Sequence, residues 1–539
     1  MSTSQLPPFD LSALLAKAHA AMRTGRAGDA YEALRATQDL IPRPHAGTST
    51  LLGFLHRHAP RTRHAELDEI WHRALVEVWA RPADIALDAA RYLACEPTLA
   101  TALDTGALSP ALAPQLEADA LFHALVRTTV IPDPRWERLL LALMARQLAA
   151  GAETSCPRLT ETLALWAWLS ERVALPVPST DQYALSQSLL ARTRAGHPPV
   201  PAELAQAALA APLQASAWAA LLDVLPESEI VHRLLREPLR EAQLAVRWPA
   251  PAAHDTAVAG HYETAPYPRW LREPLGLPVM LPPAVLRELS TAALCRPEVL
   301  IAGCGTGQQL FVAHDCYADA RLTALDVSRG SLAYACRQCE TAGLAVAEWR
   351  CADLLDLPGG APRYAVVECI GVLHHLVDPL VGLRALAAVT VPGGLLHAAV
   401  YSRRARTEVT ALRARLVADG VDLSTAKVST LRQALLRGDY GAVTAALIHS
   451  VDFYSSSGCR DLLLNAREHV YELPAFVEEA AAAGFDWLAL SAPVPVAAAA
   501  GAQFGKPAER LTVGEWHDFE ADHPQSFGGM FDCWFLRRP

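Results

Sequence analysis

The sequence predicts an α/β domain built on a largely parallel sheet, preceded by a large all-helical region. Two observations support this prediction. From residue 298 onward, short apolar segments rich in β-branched residues alternate with segments of helical periodicity, a pattern typical of βαβ units. Residues 48–244 show helical periodicity alone, interrupted by prolines. The chain is therefore expected to have a helical N-terminal half and an α/β C-terminal half.

The composition fits large, well-packed cores. Of the 539 residues, 52% are hydrophobic and 19% are charged, which is too apolar for a disordered chain. The formal net charge of −10 argues against binding to nucleic acid or to an anionic membrane surface. We therefore expect neither nucleic acid nor membrane among the partners.

The cysteines and the N-terminus indicate a cytoplasmic protein. Eleven cysteines are scattered along the chain, which favours reduced thiols over a disulfide framework. The one C-x-x-C pair, Cys336 and Cys339, is interpreted as two packed thiols, because no second pair completes a zinc site. The first residues lack the basic and apolar segments of a secretory signal, and no uninterrupted apolar run is long enough to span a bilayer.

Residues 1–248 are predicted to form an all-helical domain. Residues 11–41 resemble a single tetratricopeptide-type helical hairpin that turns at Gly25, but no pattern of fixed period follows. Its histidines and tryptophans are interpreted as surface and core residues, so no metal is expected. Further helices are predicted at residues 51–58, 66–79, 83–93, 116–129, 136–149, 161–173, 183–193 and 201–209.

Residues 249–285 are predicted to be a linker or lid. The stretch 249–282 is rich in proline and has little periodicity, which favours a connection over another helix. Within it, residues 261–270 concentrate three aromatic residues, two prolines and an arginine. A packed linker and a segment with a function at the site are both open interpretations.

A glycine-rich turn follows the first predicted strand. The apolar strand 299–302 leads into Gly303, Gly305 and Gly307, and a helix begins at residue 308. Such a turn is expected to leave backbone N–H groups bare and to let a ligand approach the main chain. The next strand ends in Asp326, at the spacing where a carboxylate can bind ribose hydroxyls. This arrangement predicts a nucleotide-type cofactor site.

The remaining elements continue the alternation. Strands are predicted at residues 299–302, 322–326, 345–351, 364–369, 394–400, 487–490 and 531–536, with helices at 308–316, 331–342, 379–389, 474–483 and 511–524. Ser328 is the expected N-cap of the second of these helices. The last two strands are expected to close the sheet as an antiparallel edge pair. In such sheets ligands bind at the carboxyl ends of the parallel strands.

The glycine order resembles motif I of the class I S-adenosylmethionine-dependent methyltransferases, and not a dinucleotide loop with its G-x-G-x-x-G spacing. The resemblance implies a Rossmann-like, seven-stranded methyltransferase sheet over residues 286–539 and S-adenosyl-L-methionine as the cofactor. It implies that Asp326, Val327 and Glu368 bind the cofactor and that Asp353 and Leu354 hold its adenine. It assigns to motif I the residues Gly303, Cys304, Gly305, Thr306, Gly307 and Gln308.

The stretch ending in Tyr267-Pro268-Arg269-Trp270 is similar to a lead-in segment found ahead of motif I in some bacterial members of this family. There such a segment can fold over the cofactor. The resemblance implies contacts near the amino-acid end of the cofactor for Tyr262, Tyr267 and Arg269, with Tyr267 assigned to the substrate side. An arginine suits the methionyl carboxylate through a bidentate pair.

Residues 368–376 resemble motif IV of the family and its following loop, where methyl donor and acceptor meet. His374 and His375 are the candidate catalytic bases, because an imidazole titrates near neutral pH. A base is needed only when the acceptor must lose a proton. The alternative is that one of these histidines merely packs beside the cofactor.

A helical insertion at about residues 403–472 is expected to build the acceptor pocket. Asp452 and Tyr454 are its candidate substrate residues. Glu468 and His469 are a candidate acid–base pair, although sequence neighbours do not face the same way on a helix. The arginines at 403, 404, 406, 413 and 415 are interpreted as a solvated helix face, with a groove for an acidic substrate or peptide as the alternative.

The functional prediction is an S-adenosylmethionine-dependent methyltransferase. Its acceptor is expected to be a protein, a peptide or a carrier-bound intermediate, because a large helical region is fused to the predicted catalytic domain. The alternative is a small-molecule O- or N-methyltransferase in which the helical half forms a homodimer. A third hypothesis, a cofactor-binding module without turnover, is disfavoured by the intact glycines and the two strand-end aspartates.

Overall fold

The computed structural model divides the chain into two compact units. The helical unit comprises Met1–Leu239, Trp270–Pro278 and Ile448–Ser456, and the sheet unit comprises Arg240–Arg269, Val279–Leu447 and Ser457–Pro539. The residues that the structure describes are 13, 16–18, 20–21, 27–40, 46–58, 60–151, 155–251, 254–275, 281–289, 296–317, 319–357, 361–423, 426–441 and 445–539. Of the predicted hairpin at 11–41, the turn at Gly25 and the flanking residues 22–26 lie outside them, and its second arm is the helix Ala27–Leu40.

In its described residues the helical unit is built from helices and loops. Its core includes the fully buried side chains Trp71, Trp79, Trp136 and Trp218, which confirms the interpretation of these tryptophans as core residues. Its longer helices are Ala27–Leu40, Ala46–Arg57, Ala65–Val76, Pro82–Leu93, Pro97–Thr105, Leu112–Ala118, Ala120–Thr128, Pro134–Ala150, Pro157–Leu169, Thr180–Arg194 and Pro201–Ala210. Shorter helical segments are Ala215–Trp218, Ala219–Val224, Glu229–Val231, and His232–Arg236, which has π geometry.

Two sequence-based expectations for these helices are wrong. The helix predicted at residues 116–129 is two helices, because Asp119 interrupts it and caps the second by accepting the N–H of Phe122 at 3.0 Å. Asp119 also pairs with the guanidinium of Arg63 at 2.5 Å. The helix Pro97–Thr105 was not predicted, although Pro at its first position and Glu96 as its cap are typical start signals.

The sheet unit holds a seven-stranded sheet in the order β3-β2-β1-β4-β5-β7-β6. The strands are β1 Glu298–Ala302, β2 Arg321–Asp326, β3 Glu348–Cys351, β4 Tyr364–Ile370, β5 Thr390–Tyr401, β6 Phe485–Ser491 and β7 Met530–Arg537. β1 to β5 pair in parallel, whereas β7 runs antiparallel to both β5 and β6. This confirms the predicted sheet and its antiparallel edge pair. The central strands read as apolar runs because both of their faces are buried.

The helices of the sheet unit follow the predicted alternation. They are Glu237–Ala245, Thr256–Thr264, Pro283–Leu289, Gln308–Cys316, Arg329–Ala342, Pro379–Val389, Thr407–Ala418, Val428–Arg437, Ala445–Ile448, Ser456–Leu464, Leu473–Ala482, Val494–Phe504 and Val513–Asp522. The first of these begins in the helical unit, and two more carry residues on both sides of the division between units. Ser328 caps Arg329–Ala342 by accepting the N–H of Ser331 at 3.0 Å, as predicted.

The expectation that residues 249–282 contain no further helix is wrong. The helix Thr256–Thr264 lies in this stretch. The carboxylate of Asp255 accepts the N–H of Val258 at 3.2 Å and so supports its first turn. A nine-residue helix gives too short a periodic signal to stand out among prolines, and tertiary contacts stabilise it.

Two absences hold for the described part of the chain. No helix there has the length and hydropathy that a membrane crossing requires. No group of three His, Cys, Asp or Glu side chains there could hold a metal ion. Cys336 and Cys339 are both buried and unoxidised, and burial raises the pKa of the Cys339 thiol to about 12, so this thiol stays protonated and unreactive.

Candidate active site

The glycine turn after β1 leaves no room for side chains at two of its positions. Gly303, Gly305 and Gly307 have φ angles of 74°, 51° and 94°, in the left-handed region that favours glycine. A Cβ at Gly303 would lie 2.3 Å from Cγ2 of Val372, and a Cβ at Gly307 would lie 2.8 Å from Cβ of Ala335. The turn therefore packs tightly on the elements around it.

The backbone N–H groups of this turn are bonded within the protein. Gly303 and Cys304 both donate to the carbonyl of Leu325, at 2.8 and 2.9 Å, and Gly307 donates to the carbonyl of Cys304 at 2.9 Å. The expectation of bare N–H groups is wrong for Gly303, Cys304 and Gly307, because the turn folds back onto the end of β2. The glycines instead provide backbone surface without side chains.

Asp326, at the end of β2, lies against the same turn. Its Oδ2 accepts the N–H of Gly305 and its Oδ1 accepts the N–H of Ser328, both at 2.8 Å. Burial raises the pKa of Asp326 to about 6, and the backbone N–H groups oppose that rise. Each carboxylate oxygen can accept a second bond, so Asp326 retains acceptor capacity for ribose hydroxyls.

The segment that follows the helix Thr256–Thr264 packs on the glycine turn. The hydroxyl of Thr306 donates to the carbonyl of Pro268 at 2.6 Å. A Cβ at Gly305 would lie 3.3 Å from the carbonyl oxygen of Tyr267. The lead-in segment therefore forms part of the wall around motif I.

Glu263 fastens the helix Thr256–Thr264 to the start of the helix Arg329–Ala342. Its Oε2 accepts the N–H of Gly330 and the hydroxyl of Ser328, both at 3.2 Å, and its Oε1 accepts Nε of Arg329 at 2.9 Å. A carboxylate at a helix N-terminus is favoured by the helix dipole. Glu263 was not among the predicted site residues, because the helix that carries it was not predicted.

Asp353 follows β3 at the same edge of the sheet. Its Oδ1 accepts the N–H of Leu355 and its Oδ2 accepts the N–H of His254, both at 2.9 Å. Asp353 and Leu354 are both buried. The carboxylates of Asp326 and Asp353, with an apolar side chain beside the second, suit a nucleoside with hydroxyls and an exocyclic amine. The residues present thus fit the nucleoside part of S-adenosylmethionine.

Glu368 on β4 is held in an internal network. Its Oε1 accepts the hydroxyl of Tyr317 at 2.6 Å, and its Oε2 accepts the side-chain amide of Gln309. Nδ1 of His397 lies 3.7 Å from Oε1, and Asp532 accepts from the other ring nitrogen. Burial opposes protonation of His397, but Asp532 and Glu368 raise its pKa to about 10. These contacts tie Glu368 to the helix Gln308–Cys316 and to the strands β5 and β7.

His374 and His375 are both buried in a single turn after β4. Nδ1 of His375 lies 2.8 Å from the carbonyl oxygen of Arg467, so the proton of the neutral ring sits on Nδ1 and the lone pair on Nε2. Burial lowers the pKa of His375 to about 4. The ring of His374 packs on the ring of Tyr401, with centroids 4.0 Å apart.

Tyr262 and Asp461 form a buried hydrogen-bonded pair close to His375. The Tyr262 hydroxyl donates to Oδ1 of Asp461 at 2.7 Å, and Nδ2 of Asn465 lies 3.0 Å from that hydroxyl and 3.5 Å from Nε2 of His375. Asp461 and Asn465 were not among the predicted site residues. Their only sequence signal is their place at the end of the predicted insertion.

The predicted solvated arginine face is wrong for Arg404, Arg406 and Arg413. Arg406 donates through Nε and Nη2 to the two carboxylate oxygens of Glu468 at 2.9 and 2.7 Å. Arg404 donates to Glu520 at 3.0 Å. Both carboxylates are buried, and a buried carboxylate requires a cation beside it.

Glu468 and His469 do not form an acid–base pair. Glu468 is bound to Arg406, whereas Nε2 of His469 lies 3.0 Å from the carbonyl oxygen of Leu376. His469 also lines a surface cleft of about 660 Å³ with Asp378 and other residues. The two side chains are therefore engaged in different contacts.

The remaining candidates lie in two regions. Asp452 and Tyr454 belong to the helical unit, where the Tyr454 hydroxyl donates to the carbonyl of Ile448 at 2.9 Å.

Arg269 is the last residue of its segment in the sheet unit. Val327 follows Asp326, and Gln308 begins the helix Gln308–Cys316. Tyr262, Tyr267, Asp326, Asp353, His374 and His375 all lie in the sheet unit.

Comparison with protein families identifies one domain. Residues 299–394 match the family described as "Methyltransferase domain". An uncharacterized protein of Synechococcus sp. is 42% identical over 121 residues, which are 22% of this chain and 28% of that protein. A protein of Methylocella silvestris named ubiquinone biosynthesis O-methyltransferase is 33% identical over 106 residues, or 20% of this chain and 40% of that protein. The chain thus spans less than half the length of either relative.

Solved structures with similar regions also include methyltransferases. PKMT2 from Rickettsia typhi in complex with AdoHcy has a TM-score of 0.35 and 15% identity, covering 48% of this chain and 54% of that one. Magnesium protoporphyrin IX methyltransferase from Synechocystis PCC 6803 with bound SAH has a TM-score of 0.26 and 15% identity, covering 47% and 80%. The overall structural likeness to both proteins is slight.

Proposed function

Since residues 299–394 form a methyltransferase domain, we propose that this protein is an S-adenosylmethionine-dependent methyltransferase. The observation that carries the proposal is the site at the ends of β1, β2 and β3. There, a turn with glycines in the left-handed region adjoins Asp326, and Asp353 follows the neighbouring strand. Parallel strand ends of this kind are where α/β sheets bind nucleotides.

The bound donor supplies a methyl group already activated as a sulfonium. The protein then has to align the acceptor atom with that methyl group and to exclude water. Asp326 and Asp353 hold the nucleoside through their remaining acceptor positions. The lead-in segment, pinned by Glu263 and by the bond from Thr306 to Pro268, keeps one wall of the site in place.

His375 takes the acceptor proton where the acceptor has one to lose. The Arg467 carbonyl holds the Nδ1 proton, so Nε2 keeps its lone pair. Because burial lowers the pKa of His375 to about 4, the ring is neutral throughout the physiological range and presents the Nε2 lone pair. His374 packs beside Tyr401 and shields the site.

The acceptor is proposed to be a protein, a peptide or a carrier-bound intermediate. The helical unit supports this, because a large helical region fused to the methyltransferase domain offers surface on which a macromolecule can dock. A small-molecule acceptor is the second candidate. It is supported by the relatives named ubiquinone biosynthesis O-methyltransferase.

Labelled donor tests the proposal. The full chain is incubated with methyl-labelled S-adenosylmethionine and either the protein fraction or the small-molecule fraction of a bacterial lysate. Label in protein supports the first candidate, and label confined to small molecules supports the second. Absence of donor binding in calorimetry contradicts the methyltransferase assignment itself.

His375→Ala provides the catalytic test. We expect turnover to fall by about 10²–10⁴-fold, the usual contribution of a general base, while the donor dissociation constant stays within about twofold. The control is His517→Ala, which changes a histidine outside the site. Unchanged turnover across the pH range would exclude the base role.

A further inference from the structure

A group of largely buried polar side chains adjoins Nε2 of His375 within the sheet unit. It is named here the acceptor cluster and comprises His261, Tyr262, Arg413, Arg460, Asp461 and Asn465. Asn465 connects the cluster to His375. Nδ2 of Asn465 lies 3.5 Å from Nε2 of His375 and 3.0 Å from the Tyr262 hydroxyl. Its backbone carbonyl accepts Nη2 of Arg413 at 2.6 Å.

The carboxylates nearby are already engaged. Asp461 accepts the Tyr262 hydroxyl at 2.7 Å, and Glu468 is bound in bidentate fashion by Arg406. Arg413 lies close to both of these carboxylates, and Arg413 and Arg460 both lie close to His261.

Each of the two arginines in the cluster has a buried N–H group without a hydrogen-bond acceptor among the described residues. Nη1 of Arg413 is buried and lies 3.9 Å from Oε2 of Glu468, without a hydrogen bond to any described residue. Nε of Arg460 is buried and likewise has no hydrogen-bond partner in the described part of the chain. Guanidinium groups with unused donors suit anionic oxygens.

The two arginines place positive charge beside His261. Burial lowers the pKa of His261 to about 4, and Arg460, His375 and Arg413 lower it further. Burial also lowers the pKa of Arg413 below its usual range, and Glu468 only partly opposes this. Burial raises the pKa of Asp461 to about 6, and Arg406 partly opposes that rise.

Other buried polar atoms here also lack partners. Both ring nitrogens of His374 and Oδ1 of Asn465 are buried and form no hydrogen bond with the residues that the structure describes. Leaving such atoms unsatisfied costs about 1–3 kcal/mol each. A polar ligand between these side chains would remove that cost.

We propose that the acceptor is an acidic oxygen compound, namely a phenol, an enol or a carboxylic acid, which binds as its oxyanion beside His375 with its charge facing Arg413 and Arg460. This inference rests on the proposed methyltransferase function and names the atom that is methylated. The positive field disfavours amines, which enter as ammonium ions. It applies equally to a free and to a carrier-bound acceptor.

The reaction balances without a further reactant. The acceptor oxygen forms a bond to the methyl carbon with a lone pair, the carbon–sulfur bond breaks, and its electron pair stays on sulfur. The anionic oxygen thereby becomes a neutral methyl ether or ester. An acceptor that enters protonated gives its proton to Nε2 of His375 while the bond from its oxygen to the methyl carbon forms.

The test uses 4-nitrophenol, whose ionised form absorbs visible light, with the full-length protein. Excess protein should lower the apparent pKa of the bound probe by at least about one unit, a tenfold change in its ionisation constant. Arg413→Gln and Arg460→Gln should each remove at least half of that shift. The control Arg437→Gln, which alters an exposed ion pair with Asp439, should leave the shift unchanged.

Donor calorimetry on the same variants separates the two hypotheses. We expect the donor dissociation constant to stay within about twofold in both arginine variants, which also verifies that they fold. Intact donor binding with an unshifted or raised probe pKa overturns this inference alone. Absent donor binding in the unaltered protein overturns the proposed function. In lysate reactions, label released as methyl iodide by hydriodic acid supports an oxygen acceptor, and label retained as N-methyl contradicts it.

Discussion

At the scale of single residues, the site depends on the hydrogen-bond partner of each polar group. Asp326 was predicted from the spacing between a glycine turn and a strand-end carboxylate, and the structure places it against that turn. The bonds of the turn itself were not predictable, because they depend on how the chain folds back on β2. The same holds for Asp461 and Asn465, whose importance comes from contacts between residues far apart in sequence.

Asp326 gives a pH prediction. Its carboxylate must be ionised to accept both ribose hydroxyls, and burial raises its pKa to about 6. The carboxylate is therefore mostly ionised at pH 7 and mostly protonated at pH 5, so donor affinity should fall about tenfold between these values. Calorimetry from pH 5 to 8 measures this.

The matched variants sharpen that test. Asp326→Asn should bind the donor at least about tenfold more weakly at pH 7 and show a flat pH profile over this range. Asp419→Asn changes an aspartate whose surface ion pair with Arg415 lies outside the site, and should reproduce the profile of the unaltered protein. A pH-dependent profile in Asp326→Asn would assign the titration to another group.

Gly307 gives a packing prediction. An alanine there would be strained by its φ of 94° and would place Cβ 2.8 Å from Cβ of Ala335. The left-handed backbone costs about 1–2 kcal/mol and the overlap about 1–3 kcal/mol more. We expect Gly307→Ala to lower the free energy of unfolding in urea by about 3 kcal/mol.

Gly343→Ala is the control for the backbone strain alone. Gly343 has a φ of 71°, but a Cβ there would meet no atom within 4 Å. Its loss in unfolding free energy should be about 1 kcal/mol. Equal losses in the two variants would mean that the turn relaxes and that its close packing has no energetic consequence.

At the scale of elements, the alternation of strands and helices was predictable and the short helix Thr256–Thr264 was not. The parallel part of the sheet follows from general rules for βαβ folds, and the apolar runs mark the central strands. The order of the strands was not predicted. The short helix is instead held by contacts such as those of Glu263 with Ser328, Arg329 and Gly330. Such contacts are invisible before the fold is known.

Glu263 tests whether this helix supports the donor site. Glu263→Gln removes the charge that faces Arg329 and the helix N-terminus, a loss of about 1 kcal/mol. We expect faster amide hydrogen exchange over residues 256–269 and a donor dissociation constant about fivefold higher. Glu509→Gln, at an exposed position, is the control. Unaltered exchange in Glu263→Gln would show that the helix is held by other contacts.

At the scale of the whole molecule, the chain combines two units whose boundaries do not follow the sequence simply. Trp270–Pro278 and Ile448–Ser456 belong to the helical unit although the sheet unit flanks them in sequence. Asp452 and Tyr454 were assigned to the acceptor pocket because they lie within the predicted insertion. Sequence order alone could not reveal that these residues join the helical unit.

The proposed function of the whole molecule rests on one domain and one site. The donor site is proposed to use residues of the sheet unit only, with Asp326 and Asp353 at neighbouring strand ends and the acceptor cluster close to His375. The helical unit is proposed to serve the acceptor, as a docking region for a protein, a peptide or a carrier. These assignments all depend on where the donor binds.

The position of the donor site is tested most directly by ultraviolet cross-linking. Radiolabelled S-adenosylmethionine is cross-linked to the full-length chain, and the labelled peptides are mapped. The account predicts label on peptides that contain residues 299–308, 326–327, 353–354 or 372–375, and loss of that label when unlabelled S-adenosylhomocysteine competes. Label confined to the helical unit, or label that the competitor does not displace, would contradict it.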